Sequence, residues 1–487
     1  MPASSIHAML RDPLKQWEII RDCIAGEMQI KYKKDKYLPR PNAVDTSKSN
    51  LTRYDAYLIR AVFYNVVKRT IGGLVGQIYS REPIIEVPKA MEPIIEDATG
   101  LGIGMTQLSK LSAGQTVAYG RSGLFIDYPD TGGTTTRAEL QTGDIRPLFT
   151  VYDPKDIINW RFVKRGGRNV LTLVVLRGTY VKSDDGFIET TGAEYKVLRL
   201  VNNQYTITTF HDDKTTPFAA PVVPTDATGK PFTEIPFTFI GSENNEPSID
   251  PAPLYDLSSL NIAHYRNSAD YEESCYISGQ PTSWFAGLTE QWVKTVLKGE
   301  IQMGSRAAVP LPVGATAGII QPNPNTLPFE AMKHKERQMV ALGAKLVEPS
   351  AVQRTATEAT IDQSYETSTL SASADNVTDA YTFALKWGAR FMGEDDANIK
   401  FELNTEFDLI KLSSNERASL IAEWQGQAIT FGEMRSNLRR AGIAMENDKE
   451  ARATILKEAA ELPGANLDDP NAPPAGTGPQ PAPGPAA

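Results

Sequence analysis

The sequence predicts an α+β chain of several structural units, on three observations. Apolar residues recur at helical spacing over 53–79, 254–277 and 361–391; short β-rich runs fill 146–210; and the last 25 residues, Pro463 to Ala487, hold eight prolines and almost no large apolar side chain. With 487 residues, 41% hydrophobic and 22% charged, the chain is long enough to bury a sizeable core and to divide into more than one unit.

Taken in order, Asp12-Pro13 combines a capping side chain with a proline suited to a first helical turn, ahead of Leu14, Trp17, Ile20 and Ile24. A short amphipathic helix is expected there. Lys31, Lys33, Lys34, Lys36 and Arg40 then interleave with Tyr32, Tyr37 and Pro39-Arg40-Pro41, which reads either as a basic, aromatic nucleic-acid surface or as a solvated loop. Tyr57, Ala61, Tyr64, Ile71, Val75 and Ile78 form one stripe, broken only by Lys68, so one long helix is expected from Arg53 to Tyr79. Residues 146–210 predict a small antiparallel sheet or barrel, with strands at 148–152, 171–176, 195–201 and 205–210.

From Leu254 to Ile277 the chain lacks proline and glycine, and a helix of about 36 Å is expected, stopped at Gly279-Gln280-Pro281. Residues 281–326 are punctuated by prolines and glycines around Trp284, Phe285 and Trp292, which suits a small α/β insertion. A second helix, Leu327 to about Leu346, places the insertion at the tip of an antiparallel hairpin. After a break around 350–354, Leu370, Ala374, Val377, Tyr381, Ala384, Gly388 and Phe391 mark a third helix of about 46 Å, which needs a supporting surface along its course. Asn398 to Leu403 reads as a lone strand, Ser413-Ser414-Asn415-Glu416 as capping chemistry before a helix bearing Leu420, Ile421, Trp424 and Ile429, and 463–487 as a disordered tail.

Composition and motifs exclude more than they assign. A net charge of −9 and a pI near 5.3 leave no overall basic footprint for tight DNA binding, so any DNA contact is local or weak. Cys23 and Cys275 form no CxxC pair and suggest neither a disulfide framework nor a zinc site, only buried or idle thiols in a reducing compartment. Met1 to Arg11 lacks the pattern of a secretory signal, and no apolar run reaches the length of a membrane helix, so no membrane partner is expected. Gly314-Ala315-Thr316-Ala317-Gly318 and Thr228-Gly229-Lys230-Pro231 lack phosphate-loop spacing. His7, His211, His264 and His334 stand in separate segments without HExxH or triad companions. Gly120-Arg121-Ser122-Gly123 is not a GxSxG elbow and reads as a tight turn, and Glu272-Glu273 and Asp395-Asp396 are adjacent pairs that diverge on a helix. No enzyme, cofactor or metal is predicted.

The order of elements, an α/β region, long helix, insertion, long helix, break, longer helix, strand and helical C-terminus, resembles tailed-bacteriophage portal proteins. Tyr37-Leu38-Pro39-Arg40, Gly120-Arg121-Ser122-Gly123 with Asp127-Tyr128-Pro129, Ile157-Ile158-Asn159-Trp160-Arg161 and Asn261-Ile262-Ala263-His264-Tyr265-Arg266 look like one portal-like family formerly labelled a domain of unknown function. Gly279-Gln280-Pro281-Thr282 and Thr355-Ala356-Thr357-Glu358-Ala359 extend the match over roughly 30–410.

The resemblance implies a portal fold: an N-terminal wing at 1–250, a first stem helix at 251–280, a small clip at 281–326 and a second stem helix at 327–346. A tunnel loop follows at 347–354, then a long wing helix with its return strand at 355–410, a helical crown at 411–462 and the tail at 463–487. It implies a homo-oligomeric ring, typically a dodecamer, at one capsid vertex of a virion assembled in the host cytoplasm, which passes double-stranded DNA during packaging and ejection. Its implied partners are the terminase motor, head-tail adaptor or tail proteins, and major capsid or scaffolding protein. Gln353 and Arg354 become candidates for the tunnel loop. Asp256, Asp270, Glu272 and Glu273, against Arg266, give the first stem helix a net −3; repeated round a channel that charge would repel phosphate, while on an outer face it is only solvated. Another connector or tail-tube ring would share these features, and a virion DNA-processing hydrolase is the third reading.

Overall fold

The computed structural model describes residues 2–128, 146–212, 214–226, 228–280, 282–298, 301, 309–320, 325–343, 356–405, 414–440, 443–444 and 448–461. The chain divides into two units, Met1–Asn404 and Thr405–Ala487.

The first unit opens with helices α1 (Arg11–Ala25), α2 (Glu27–Tyr32), α3 (Lys48–Arg60) and α4 (Val66–Ile78). Helix α1 buries Trp17, Ile20 and Cys23, and the Trp17 indole donates to the Tyr119 carbonyl at 2.9 Å. Leu10, not Asp12, occupies its N-cap; Asp12 sits inside the first turn and pairs with Lys15 at 3.0 Å.

The stripe expected to be one helix at 53–79 is two. The chain leaves helical geometry at Ala61, and the Asn65 side chain restarts it as α4 by accepting from the Lys68 amide at 3.1 Å. Ala61 and Val66 are both fully buried, which is why the apolar pattern runs unbroken across the gap.

The basic stretch at 31–40 folds over carboxylates. Lys33 and Lys36 share Glu18 at 3.0 and 2.6 Å, Lys34 pairs with Asp55, Arg40 with Asp35 and Lys31 with Glu27. Cations engaged this way form no free patch for phosphate, so the nucleic-acid alternative at this stretch loses its basis.

Strand β1 (Ile84–Glu86), helices α5 (Glu92–Glu96) and α6 (Met105–Tyr119), and strands β2 (Arg121–Asp127) and β3 (Leu148–Tyr152) follow. Next come β4 (Ile157–Arg165), β5 (Arg168–Asp184), β6 (Glu189–Val201), β7 (Gln204–His211) and β8 (Phe237–Gly241). The β-rich block is open, not a barrel: β4-β5-β6-β7 is an antiparallel meander with β4 and β7 at its edges, and β3-β2-β8 is a separate antiparallel sheet. Strands β5 and β6 are longer than expected because their turn-proximal halves are mostly polar, with Tyr180 and Val181 the large apolar side chains there. Gly120 makes the turn between α6 and β2, with φ 73°, where an added Cβ would lie 2.5 Å from the Pro251 carbonyl.

Helix α7 (Tyr255–Ser278) leads to strand β9 (Thr282–Ala286), helix α8 (Glu290–Thr295), strand β10 (Thr316–Ile320) and helix α9 (Leu327–Ala341). Helix α10 (Ala356–Met392) has 37 residues, about 55 Å, and buries Leu370, Ala374, Val377, Tyr381, Ala384 and Leu385 against α6, β2 and β8. That surface supports the helix from Leu370 onward. The strand expected to stand alone, β11 (Lys400–Glu402), pairs antiparallel with β1 from the far end of the sequence.

The second unit holds α11 (Ser414–Gln425), α12 (Phe431–Arg440) and α13 (Asp448–Glu461). Helix α11 stops before Ile429, expected inside it, because Gln427 takes a left-handed φ of 58° and starts the turn. Ser413 and the tail at 463–487 lie outside the described residues.

Candidate assembly strut

Helix α7 is the strut of the first unit, and its buried polar residues explain how. Along one side it stitches the N-terminal helices. The Asn261 amide donates to the Tyr64 carbonyl at 2.9 Å, and the Ser268 hydroxyl meets both backbone groups of Val62, at 3.0 Å to the N–H and 2.7 Å to the carbonyl. Arg266 donates to the Tyr37 carbonyl at 2.8 Å, and the buried Cys23 thiol lies 3.7 Å from the Ser258 carbonyl. The Asn261 and Ser268 bonds satisfy backbone groups where α3 and α4 are interrupted, a part-buried gap that would otherwise cost free energy.

Along its other side α7 carries α9. His264 Nε2 lies 3.2 Å from Glu336, Lys335 donates to the Asn267 side-chain Oδ1 at 2.6 Å, and Tyr271 stacks on Phe329 with centroids 5.5 Å apart. The Asn325 amide reaches the Ser274 hydroxyl at 3.3 Å. Residue numbers fall on one helix as they rise on the other, so the pair is antiparallel, and the insertion sits at its tip. Burial pushes the His264 pKa below the usual imidazole value, opposed by Glu336.

The insertion is a two-stranded hairpin, β9 with β10, in which Trp284 lies across from Gly318, plus α8 capped by Thr289. Trp292 reaches the Pro310 carbonyl at 3.3 Å. As a single copy it leaves Trp284, Val296, Val313, Ile319 and Ile320 exposed, and Tyr276, Ile277 and Leu327 are exposed at the adjoining helix ends. Eight large apolar side chains in and beside one short segment are thereby left facing water.

The acidic candidates of α7 divide. Asp270 accepts the Tyr57 hydroxyl at 2.6 Å, and Glu273 pairs with Arg60, whose guanidinium also stacks on Tyr276 at 4.1 Å. Asp256 and Glu272 make no hydrogen bond or ion pair with the described residues, and Asp256 stands about 21 Å along the helix from Asp270. Gln353 and Arg354 lie outside the described residues.

Two features escaped the sequence reading. Arg121, 1% exposed, lies between Trp160 and Phe239, at 4.4 and 4.1 Å from the ring centroids, and donates from one nitrogen to the carbonyls of Pro247 and Ser248. Nothing around Gly120-Arg121-Ser122-Gly123 signals this, since every partner is at least 39 residues away. His7 stacks on the same Trp160 at 4.2 Å, and its pKa is lowered by burial and by Arg121 and Arg161. The second feature is the far half of the β5–β6 hairpin, taken up below.

A family model described as a domain of unknown function, DUF4055, matches residues 253–392, which is α7, the insertion, α9 and α10. No curated protein matches the chain. Among solved structures, a chain of the neck of a native GTA particle computed with C12 symmetry is similar at 12% identity, covering 77% of this chain and 89% of that one, with a TM-score of 0.40. A chain of the virion of a native gene transfer agent particle is similar at 15% identity, covering 84% and 98%, with a TM-score of 0.41.

Proposed function

We propose that this chain is a portal subunit: a homo-oligomeric ring at one vertex of a phage-like capsid, passing double-stranded DNA and docking a terminase motor and adaptor or tail proteins. The observation that carries the reading is the strut itself, an antiparallel helix pair whose tip presents apolar side chains that one copy leaves in water. A subunit in a ring would bury them against its neighbours, since one face of each copy meets a different face of the next and rotation closes the circle. The sequence resemblance supplies the rest, placing stem at α7 and α9 and clip at β9, α8 and β10.

In this reading the protein performs no chemistry of its own. Asp256 and Glu272 are the stem carboxylates free to face a channel, where repeated negative charge lets DNA slide. Asp270 and Glu273 instead fasten the stem to α3.

Electron microscopy of the purified protein with mass determination tests the proposal. Closed rings with an axial hole wide enough for duplex DNA are expected. A chain that stays monomeric at high concentration overturns it, and stacked tubes would favour a tail-tube subunit.

A further inference from the structure

The β5–β6 hairpin outgrows its sheet. Strand β4 stops pairing at Leu176 and β7 at Glu194, yet β5 and β6 remain paired as far as Asp184 and Glu189. Every residue from Val181 to Thr190 is exposed, and Phe187 at the turn is 98% exposed with Ile188 beside it at 67%. A two-stranded ribbon ending in an aromatic ring and an isoleucine in water offers an apolar tip for another surface to cover.

The ribbon is built to hold that tip out. At its root Tyr180 stacks on His211 at 3.7 Å, His211 stacks on Phe218 at 3.9 Å, and Asp212 accepts the Tyr180 hydroxyl at 3.1 Å. At the turn Asp185 accepts the amides of both Phe187 and Ile188, at 2.9 and 2.8 Å, and Asp184 accepts that of Gly186 at 2.7 Å. Asp184, Asp185 and Glu189 surround the two apolar side chains with negative charge.

At the other end of the same strand lies a cleft of about 580 Å³ lined by His7, Met9, Trp160, Arg161, Phe162 and Val163, with Thr172 of β5 at its edge. Met9 and Val163 are about half exposed. Arg161 lines the cleft and Lys164 follows the lining residue Val163; with Glu246, next to the lining residue Pro247, subtracted from these two cations, the charge is net +1. A volume of this size suits one or two apolar side chains.

We propose that the Phe187–Ile188 tip docks in the His7–Trp160–Val163 cleft of a second copy of this chain. Charge sign and apolar content match, tip to cleft. A chain cannot seat its own tip, because Thr172 and Asp184 are twelve residues apart on one strand, about 40 Å. Donor and acceptor at opposite ends of one element make a head-to-tail contact, the kind that propagates round a ring. The inference rests on the self-association proposed above and adds a contact outside the strut.

Charge reversal tests it at exposed positions, with circular dichroism and melting to verify folding. One variant carries Asp184→Lys and Glu189→Lys, the other Arg161→Glu and Lys164→Glu. Each alone should associate at least tenfold more weakly than the wild type in sedimentation velocity at low salt. An equimolar mixture should recover assembly, because in alternating order every reversed tip meets a reversed cleft. Phe187→Ser with Ile188→Ser should weaken association without rescue by either partner. A wild type that assembles while all variants assemble equally well, or a mixture that recovers nothing, overturns the docking and leaves the ring intact. A monomeric wild type removes both.

Discussion

The hydroxyl of Ser268 accepts the Val62 N–H at 3.0 Å and donates to the Val62 carbonyl at 2.7 Å. One side chain of the strut helix thereby satisfies both backbone groups of a residue 206 positions earlier, at the point where α3 gives way to α4. The helical break and the strut are one device: the chain can leave helical geometry at Ala61 because α7 takes up the bonds the helix gives up.

Ser268→Ala removes both bonds and leaves the Val62 groups without a partner in a half-buried site. Two-state urea denaturation should show a loss of about 1–3 kcal/mol. Asn261→Ala removes one of two bonds to the Tyr64 carbonyl, which keeps the Val66 N–H at 2.9 Å, and should cost less, about 0.5–1.5 kcal/mol. The two together should be less than additive, since both hold the same five-residue segment.

How much of this was legible in the sequence depends on the reach of the interactions. The stripes of α7 and α10 are set by neighbours three and four residues away, and both helices were readable with their approximate ends. The break at 61–65 was not, because Ala61 and Val66 point into the same core from two helices and the partners that allow the break, Asn261 and Ser268, are some 200 residues distant. Arg121 looks like a turn residue until Trp160 and Phe239 close over it. Lys31 to Arg40 suggests a basic surface because Glu18, Asp22 and Asp55 fold back onto it only in three dimensions. The acidic stem candidates share this fate: composition shows four carboxylates, and geometry assigns two of them to Tyr57 and Arg60.

Mild acid should destabilise the first unit before its carboxylates titrate. His7 and His264 both have pKa values lowered from 6.5, His7 by burial and by Arg121 and Arg161, His264 by burial against the opposing pull of Glu336. The unfolded chain therefore takes up protons that the folded chain refuses once pH falls below about 6.5. Stability is fully present above that value and declines as pH drops toward the folded pKa values. Denaturation midpoints measured at about pH 7.5 and pH 5.5 should fall, and His264→Gln should shrink the difference; an unchanged slope in that variant contradicts the assignment.

The two cysteines should differ in reactivity. Cys23 is fully buried and its thiol is pushed up to about 12 by burial and by Asp22, whereas Cys275 is exposed on the strut. A thiol-reactive disulfide reagent at neutral pH should label one thiol per native chain quickly and the second only in denaturant. Cys275→Ser should abolish the fast phase, and Cys23→Ser should leave it intact.

Gly120→Ala should be severe for its size. The left-handed φ costs a side chain about 1 kcal/mol or more, and the new Cβ would press on the carbonyls of Pro251 and Asp250 at 2.5 and 2.9 Å, backbone atoms that cannot swing aside. A loss of at least about 2 kcal/mol is expected in the same denaturation assay.

Replacing 281–326 with a short glycine-serine linker separates folding from assembly. The helices α7 and α9 are already held together by Tyr271 with Phe329, Asn267 with Lys335 and His264 with Glu336, all outside the replaced segment, so the linker closes a gap the helices have set, and loop-closure entropy changes little. The apolar residues removed, Trp284, Val313, Ile319 and Ile320 among them, are exposed in one copy and contribute little to its stability. The thermal midpoint of the shortened chain should stay within a few degrees of the wild type. In the portal reading the insertion meets motor and adaptor and shares its apolar side chains with neighbouring copies, so packaging should be lost and ring closure weakened while the subunit still folds. A shortened chain that unfolds outright would show that the insertion belongs to the core of the first unit, and the strut would then have to be redrawn to include it.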